Sequence, residues 1–469
     1  MIPLIYIIIG LPAIGAFLSL AGGRNGSLVL LKIFSFATLA IAGYIIYAAN
    51  VYGMASLGSS IAYISPLGVD LSLGLTDISL ILIVMTAIVF FAASLASNYF
   101  IDKNTGLYSF LFMLMEATTI GLFASSNLFL FFIFWEVSEI SMFFVIYIYG
   151  GMNRRKASVK FLIYSIVASM SLLIGIMLLY YGGGSFDISV LQSSASSMSH
   201  GMQLLAFAIL LVPFIIKAPV FPLHTWLPDA HTEAPATGSM VLAGVLLKFG
   251  GYGMLLLFSI LPGIAKEYSI YLAVLFAFSA IYGAMTAIKV PNLKRMIAYT
   301  SIADMGIVVF GLMAMNSYGN LGATYIMLSH GLAISLLFML AGMFDKEFGT
   351  LLIKNLEGIA EWSGFAAYSF IIGILAAIGI PLTSGFIGDI LLFIGSSGAF
   401  SIAGTIPLTA SIIVGAYLFW IVEKSIFRNK MKIARDTYSA YMDKYVLSSA
   451  IVLIIALIIF GIAPFILGL

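Results

Sequence analysis

Apolar residues run along this chain in blocks of roughly 20, each closed by a short polar or glycine-containing stretch, and a helix of about that length crosses a hydrocarbon core. Spans read this way fall near 2–21, 28–48, 75–98, 108–125, 127–150, 158–182 and 202–222. They continue near 236–261, 269–288, 296–315, 321–343, 367–395, 403–422 and 446–468. The blocks recur from end to end, so the first reads as a retained span rather than a cleaved signal. The pattern predicts an all-α polytopic membrane protein of about 14 transmembrane helices, a single integral-membrane domain over 1–469.

Two blocks contain residues that interrupt a helix. The seventh carries Lys217, Pro219 and Pro222 in KAPVFPLH, and the twelfth carries Gly379, Pro381 and Gly385 in GIPLTSGFIGD, just ahead of Asp389. Interior proline removes a helical hydrogen bond and frees carbonyls, which a membrane tolerates only where protein or water re-satisfies them. Breaks at corresponding places in two halves point to inverted five-helix repeats around a midplane ion site. The expected organisation is helices 1–3 over 1–107, a first repeat of helices 4–8 over 108–261, a second of helices 9–13 over 269–428, and helix 14 over 446–468. Lys217 and Asp389 would then be counterparts.

Composition sharpens this picture. The chain is 62% hydrophobic and 9% charged, with a net charge of +2, which excludes a water-soluble globular class and gives no basic patch for nucleic acid. The few cations set the orientation, because basic loops stay on the cytoplasmic side. With the N-terminus outside, the inside loops hold Arg24, Lys103, Arg154, Arg155, Lys156, Lys289, Lys294, Arg295, Lys346, Lys354, Lys424, Arg428, Lys430, Lys432, Arg435 and Lys444, and the outside loops hold only Lys266. An even number of spans returns the C-terminus to the outside. Lys32 and Lys160 lie near span ends, where a long side chain snorkels to the interface.

Lys217 and Lys248 have no such escape, and an ionisable residue at that depth is costly enough to mark a functional site. Glu136, in FLFFIFWEVSEISMFFVIY, is the expected partner of Lys217, with Glu139 one turn further on. A pair that opens and closes acts as a proton switch. The plainer alternative is a static buried pair that fixes helix register. Lys248, in MVLAGVLLKFGGYG, has no acidic partner in its own or the next span. Asp304, His330 and Asp389 follow in later spans. A lone histidine on an apolar helix is more often a packing residue, but in a row with two lysines and an aspartate it can relay a proton.

Other polar groups have local explanations. Glu116 reads as a carboxylic acid hydrogen-bonded to a neighbouring helix, and Asp77 as part of a helix start. His224, Asp229, His231 and Glu233 match no zinc spacing and read as capping at the eighth helix, with Pro235 suited to a first turn. Cysteine is absent, which excludes disulfides, thiolate metal sites and cysteine-ligated clusters within the chain. No cofactor is expected here.

FWE at Phe134 to Glu136, KAPVFPLHTWLPDAHTEAP from Lys217 to Pro235, AGVLLKFGGYG from Ala243 to Gly253, and NLKRMIAYTSIADMG from Asn292 to Gly306 together resemble the antiporter-like subunits of respiratory complex I. Those subunits are related to subunits of Mrp-type cation/proton antiporters and membrane-bound hydrogenases. The resemblance covers nearly the whole chain. It is most like the M-type, on LPDAHTEAPATGSMVLAGVLLK and on an end at the fourteenth span.

The resemblance implies a non-redox, proton-pumping subunit of a multisubunit NADH:quinone oxidoreductase-type translocase in the cell membrane. Its partners would be other membrane subunits and the bilayer, redox cofactors would sit in those subunits, and protons, or else sodium, would be the cargo. Carried over residue by residue, Glu136 and Lys217 match the family's glutamate–lysine pair, Lys248 its central lysine, His330 its relay histidine, and Asp389 its acidic exit residue, ordinarily glutamate. Asp304 stands where the family's SHMG pattern has histidine, which implies altered or absent relay chemistry there. An Mrp-type antiporter or hydrogenase subunit is the second reading, and a membrane scaffold whose charges only fix packing is the third.

Overall fold

The computed structural model describes residues 4–64, 69–427 and 442–467. Arg428, Lys430, Lys432 and Arg435, used above to orient the chain, lie outside the described residues. The first half is built from α1 (Leu4–Ser19), α2 (Gly23–Tyr52), α3 (Asp77–Phe100), α4 (Thr105–Ala124), α5 (Leu128–Tyr149), α6 (Arg154–Gly183), the short α7 (Ile188–Ser194) and α8 (His200–Lys217). After α8 come α9 (Trp226–Glu233), α10 (Ala236–Val241) and α11 (Lys248–Ile260). The second half holds α12 (Pro262–Lys289), α13 (Leu293–Leu312), α14 (Ser317–Phe348), the one-turn α15 (Ile359–Trp362), α16 (Gly364–Ile378), α17 (Ser384–Phe400), α18 (Leu408–Val422) and α19 (Lys444–Ile462).

Each of the apolar blocks is helical. Among the described residues, 13 spans are long and apolar enough to cross a membrane, and α1 and α16 are shorter apolar helices. Both expected breaks are present. The seventh span stops at Lys217 and is followed by the separate short helix α9 from Trp226, and the twelfth stops at Ile378 and resumes as α17 at Ser384.

One element is an addition to the all-α reading. Strands β1 (Ser59–Ile64) and β2 (Val69–Leu73) pair antiparallel between α2 and α3. Tyr6 on α1 donates to the Leu71 carbonyl at 3.1 Å and ties the hairpin to the bundle.

Polar residues at block edges do the starting and stopping. Thr76 accepts from the Ser79 amide at 3.1 Å and Ser79 accepts from the Thr76 amide at 2.8 Å, a reciprocal cap that begins α3 with Asp77 in its first turn. Asn127 and Asn292 cap α5 and α13 through their side-chain oxygens.

The bundle is driest at its centre. α14 is buried along its whole span and α3, α13 and the α10–α11 span nearly so, whereas α2, α6, α12 and α17 turn Phe36, Ile166, Val274 and Ile394 outward. That outer apolar surface suits lipid, and small residues let the inner helices approach. A Cβ on Gly322 of α14 would sit 2.4 Å from the Leu392 amide nitrogen of α17, so that crossing requires glycine.

Candidate functional site

The first group forms where α8 ends. Lys217 is the last residue of that helix, and Trp226, the first residue after the break, donates its indole N–H back to the Ile216 carbonyl at 3.1 Å. The ammonium lies inside an aromatic cage, 4.8 Å from the Phe161 ring centre, 5.3 Å from Trp226 and 5.9 Å from Trp135. The quadrupoles of those rings favour a cation there.

Its carboxylate partner is Glu139, with Oε1 2.5 Å from Nζ. This corrects the pairing with Glu136. The two glutamates are three residues apart on α5 and so are neighbours on one side of the helix, offset by about 60°. Glu139 faces the interior at 3% exposure, while Glu136 is half-buried and accepts from Ser169 of α6. The Glu139 contact is an ion pair by distance only, since neither of its oxygens has a hydrogen bond of good geometry. The Glu136 Oε1 atom is buried without a partner.

The second group forms at a π-helical turn. Leu242–Leu246 winds wider than an α-helix, which frees the Ala243 carbonyl, and Lys248 directly follows. Lys248 Nζ donates to that carbonyl at 2.6 Å and lies 2.7 Å from His330 Nδ1 on α14. Lys248 is fully buried and His330 nearly so. Its partner is thus a histidine from a distant span rather than an acid. The KFGGYG motif seats α11 against the end of α8, because a Cβ on Gly250 would sit 2.4 Å from the Ala218 nitrogen.

The far side of His330 faces a third group. Its Nε2 is 4.0 Å from Asp304 Oδ2 on α13 and has no hydrogen bond. Asp304, Ser329, His330, Gly379, Gly385, Asp389 and Ser411 line one small cavity beside the break between α16 and α17. It offers about 20 Å³ to the centre of a water, enough for one molecule. Asp389 points back across the break: its Oδ2 lies 2.1 Å from where a Cβ on Gly379 would be, and Gly379 adopts φ +77°. Asp304, expected to alter or remove relay chemistry, lies 4.0 Å from His330 and lines the same cavity as Asp389.

A fourth group lies at one end of the bundle. Lys160 donates to Asp229 and to the Thr225 carbonyl, each at 2.7 Å, and Arg295 donates to the other Asp229 oxygen at 2.8 Å. Burial alone would raise the Asp229 carboxyl, but Lys160 and Arg295 outweigh it and hold it below the usual carboxylate value. A polar cleft of about 250 Å³ opens beside it, lined by Asn153, Lys156, Thr232, Glu233 and Arg295 among others. Glu116, apart from these groups, accepts from Ser35 of α2 at 2.7 Å, as expected of an acid bonded across helices.

The structure therefore joins Lys248, His330 and Asp389 through Asp304, and holds Glu136 and Lys217 in a separate cluster around Glu139. Glu139 was legible as a carboxylate one turn from Glu136, but only the direction of the α5 side chains decides which faces Lys217.

The profile described as NADH:quinone oxidoreductase/Mrp antiporter, transmembrane, matches residues 125–415, which holds every group described above except Glu116. The chain belongs to this family. It is 34% identical over 405 residues to NADH-quinone oxidoreductase subunit M of Rickettsia conorii, covering 86% of this chain and 82% of that one. It is 36% identical over 386 residues to NAD(P)H-quinone oxidoreductase chain 4 1 of Synechococcus sp., covering 81% and 72%. A chain of respiratory complex I from Thermus thermophilus shares the antiporter-family fold at a TM-score of 0.90 and 25% identity, over 98% of this chain and 96% of that one. A chain of the Mrp complex from Dietzia sp. matches at 0.88 and 19% identity, over 99% and 95%, a likeness of fold alone.

Proposed function

We propose that this chain is the proton-translocating, non-redox subunit of a redox-driven membrane complex of the NADH:quinone oxidoreductase type. The observation that carries the reading is the contact between Lys248 and His330 at 2.7 Å, continued by Asp304 at 4.0 Å and a water-sized cavity that reaches Asp389. A 2.7 Å nitrogen–nitrogen contact holds one proton between its partners. Either the ammonium donates to a bare Nδ1, or Nδ1–H donates to a neutral amine. The imidazole can then pass a proton from Nε2 toward the aspartates, with a water bridging the remaining gap.

Protons would be taken up from the inside, near the cleft at Asp229, and would leave toward the outside near Asp389. Lys217 with its glutamates would gate the first half and Lys248 the centre. The positive-inside distribution supports this orientation in the plasma membrane, with both termini outside. Moving a charge against the potential costs about 2.3 kcal/mol per 100 mV. On this reading electron transfer in partner subunits would be the driver, and redox cofactors would sit there.

The test uses the intact complex, purified with its partners identified and reconstituted in vesicles, with NADH as donor and a short-chain quinone as acceptor. Lys248→Ala and Lys217→Ala are each expected to lower proton translocation roughly 100-fold or more, the usual range for losing a positioned proton-transfer group. Normal translocation in a correctly assembled complex would overturn the relay.

A further inference from the structure

The cluster at Lys217 holds one carboxylate more than a static pair requires. Glu136 and Glu139 present two acids to one ammonium. With all three ionised the cluster would carry an uncompensated negative charge in an apolar bundle, which is expensive unless further partners arrive. Among the described residues the only other group on either acid is the Ser169 hydroxyl on Glu136. Charge balance is met when one of the two acids keeps its proton.

The geometry also gives the lysine two places to go. The glutamates are one turn apart on α5, about 4.5 Å along the axis, within the swing of a four-carbon side chain. Glu139 holds Nζ now, at 2.5 Å. The Glu136 Oε1 atom is a buried acceptor with no partner, and Glu136 lies within the electrostatic reach of both Lys217 and Glu139. Lys217 ends its helix at a break, so its backbone is not held inside a continuing helix. The rings of Phe161, Trp226 and Trp135 offer the ammonium no hydrogen-bond acceptor, so moving across them breaks no hydrogen bond to the cage.

We propose that Glu139 and Glu136 are alternate seats for Lys217, and that a single exchangeable proton occupies whichever carboxylate the lysine has left. In one state the ammonium pairs with ionised Glu139 and Glu136 is a carboxylic acid. In the other the ammonium pairs with ionised Glu136 and Glu139 carries the proton. Going from the first to the second, one proton leaves the Glu136 oxygen and one binds the Glu139 oxygen, with no change in total charge. Glu136 is half-buried toward Ser169 of α6 and Glu139 is buried in the interior, so the exchange shifts the proton about one helical turn along α5. Glu139 is thereby a proton-carrying residue of the relay proposed above, on which this inference rests.

Infrared difference spectroscopy of the intact complex, variant minus parent, tests the arrangement independently of pumping. In Glu139→Gln the lysine is expected to move to Glu136 and ionise it, so the carbonyl band of a protonated carboxylic acid disappears. If Glu139 were only a static partner, Glu136 would stay protonated and the band would persist, which overturns the proposal. Pumping in vesicles gives the second arm. Glu139→Gln and Glu136→Gln should each lower translocation roughly 100-fold, the double variant should fall no further than the worse single, and Glu139→Asp should recover part of the loss. Full pumping in Glu139→Gln beside a defective Lys217→Ala would reject the role of Glu139 while leaving the relay in place. Full pumping in Lys217→Ala would reject the relay itself, and the infrared result would still decide where the proton sits.

Discussion

Single side chains decide most of this site, and they were unequally legible. Lys217, Lys248, His330 and Asp389 stand out in the sequence because charge is rare in apolar blocks. Which acid meets Lys217 was not legible, because two glutamates three residues apart differ only in which face of α5 packs inward. Asp304 shows a related limit. Its difference from the family's histidine implies altered or absent relay chemistry, and only the structure shows its carboxylate 4.0 Å from His330. Gly379 shows the same dependence on geometry. Its φ of +77° and the 2.1 Å approach of Asp389 to its missing Cβ leave no room for a side chain. Gly379→Ala is expected to cost about 1–2 kcal/mol from the left-handed backbone alone and to push Asp389 out of the cavity. Thermal denaturation of the purified complex would read the first effect, and vesicle pumping the second.

Elements were read more reliably than contacts. A block of roughly 20 apolar residues has few alternatives to a helix in a bilayer, and the prolines in KAPVFPLH and GIPLTSGFIGD announce the two breaks. The hairpin of β1 and β2 is short and sits between spans, where no apolar block draws attention to it. The π turn has no signature either, since LAGVL is ordinary helical sequence. Yet that turn holds Lys248, by giving its Nζ the Ala243 carbonyl. Deleting one residue from Leu242–Leu246 would return the segment to α-helix with little change in the phase of α11, and would close the Ala243 carbonyl into the helical ladder so that Lys248 loses it. The expected outcome is an assembled complex with pumping lost, recovered when one alanine is reinserted. Native gel electrophoresis checks the assembly and vesicle acidification the activity.

At the scale of the whole molecule, Asp229 ties α6 to α13 through α9 with Lys160 and Arg295. Its carboxyl titrates lower folded than unfolded, so its stabilisation is fully present above the unfolded value, near about 4, and is lost as pH falls through the folded value. The groups are partly exposed, which limits the effect to about 1 kcal/mol. Asp229→Asn should therefore lower the melting temperature at pH 7, and the gap between variant and parent should close on acidification.

The aromatic cage at Lys217 has a consequence for the resting membrane. A complex that builds a voltage must also hold it when no electrons flow, and a continuous file of water across the bundle would discharge it. Phe161, Trp135 and Trp226 pack against the ammonium with apolar faces that water wets poorly. On the proposed route they would act as an electrical insulator around the first charge, so that current would pass when the lysine moves and leakage would stay low when it does not.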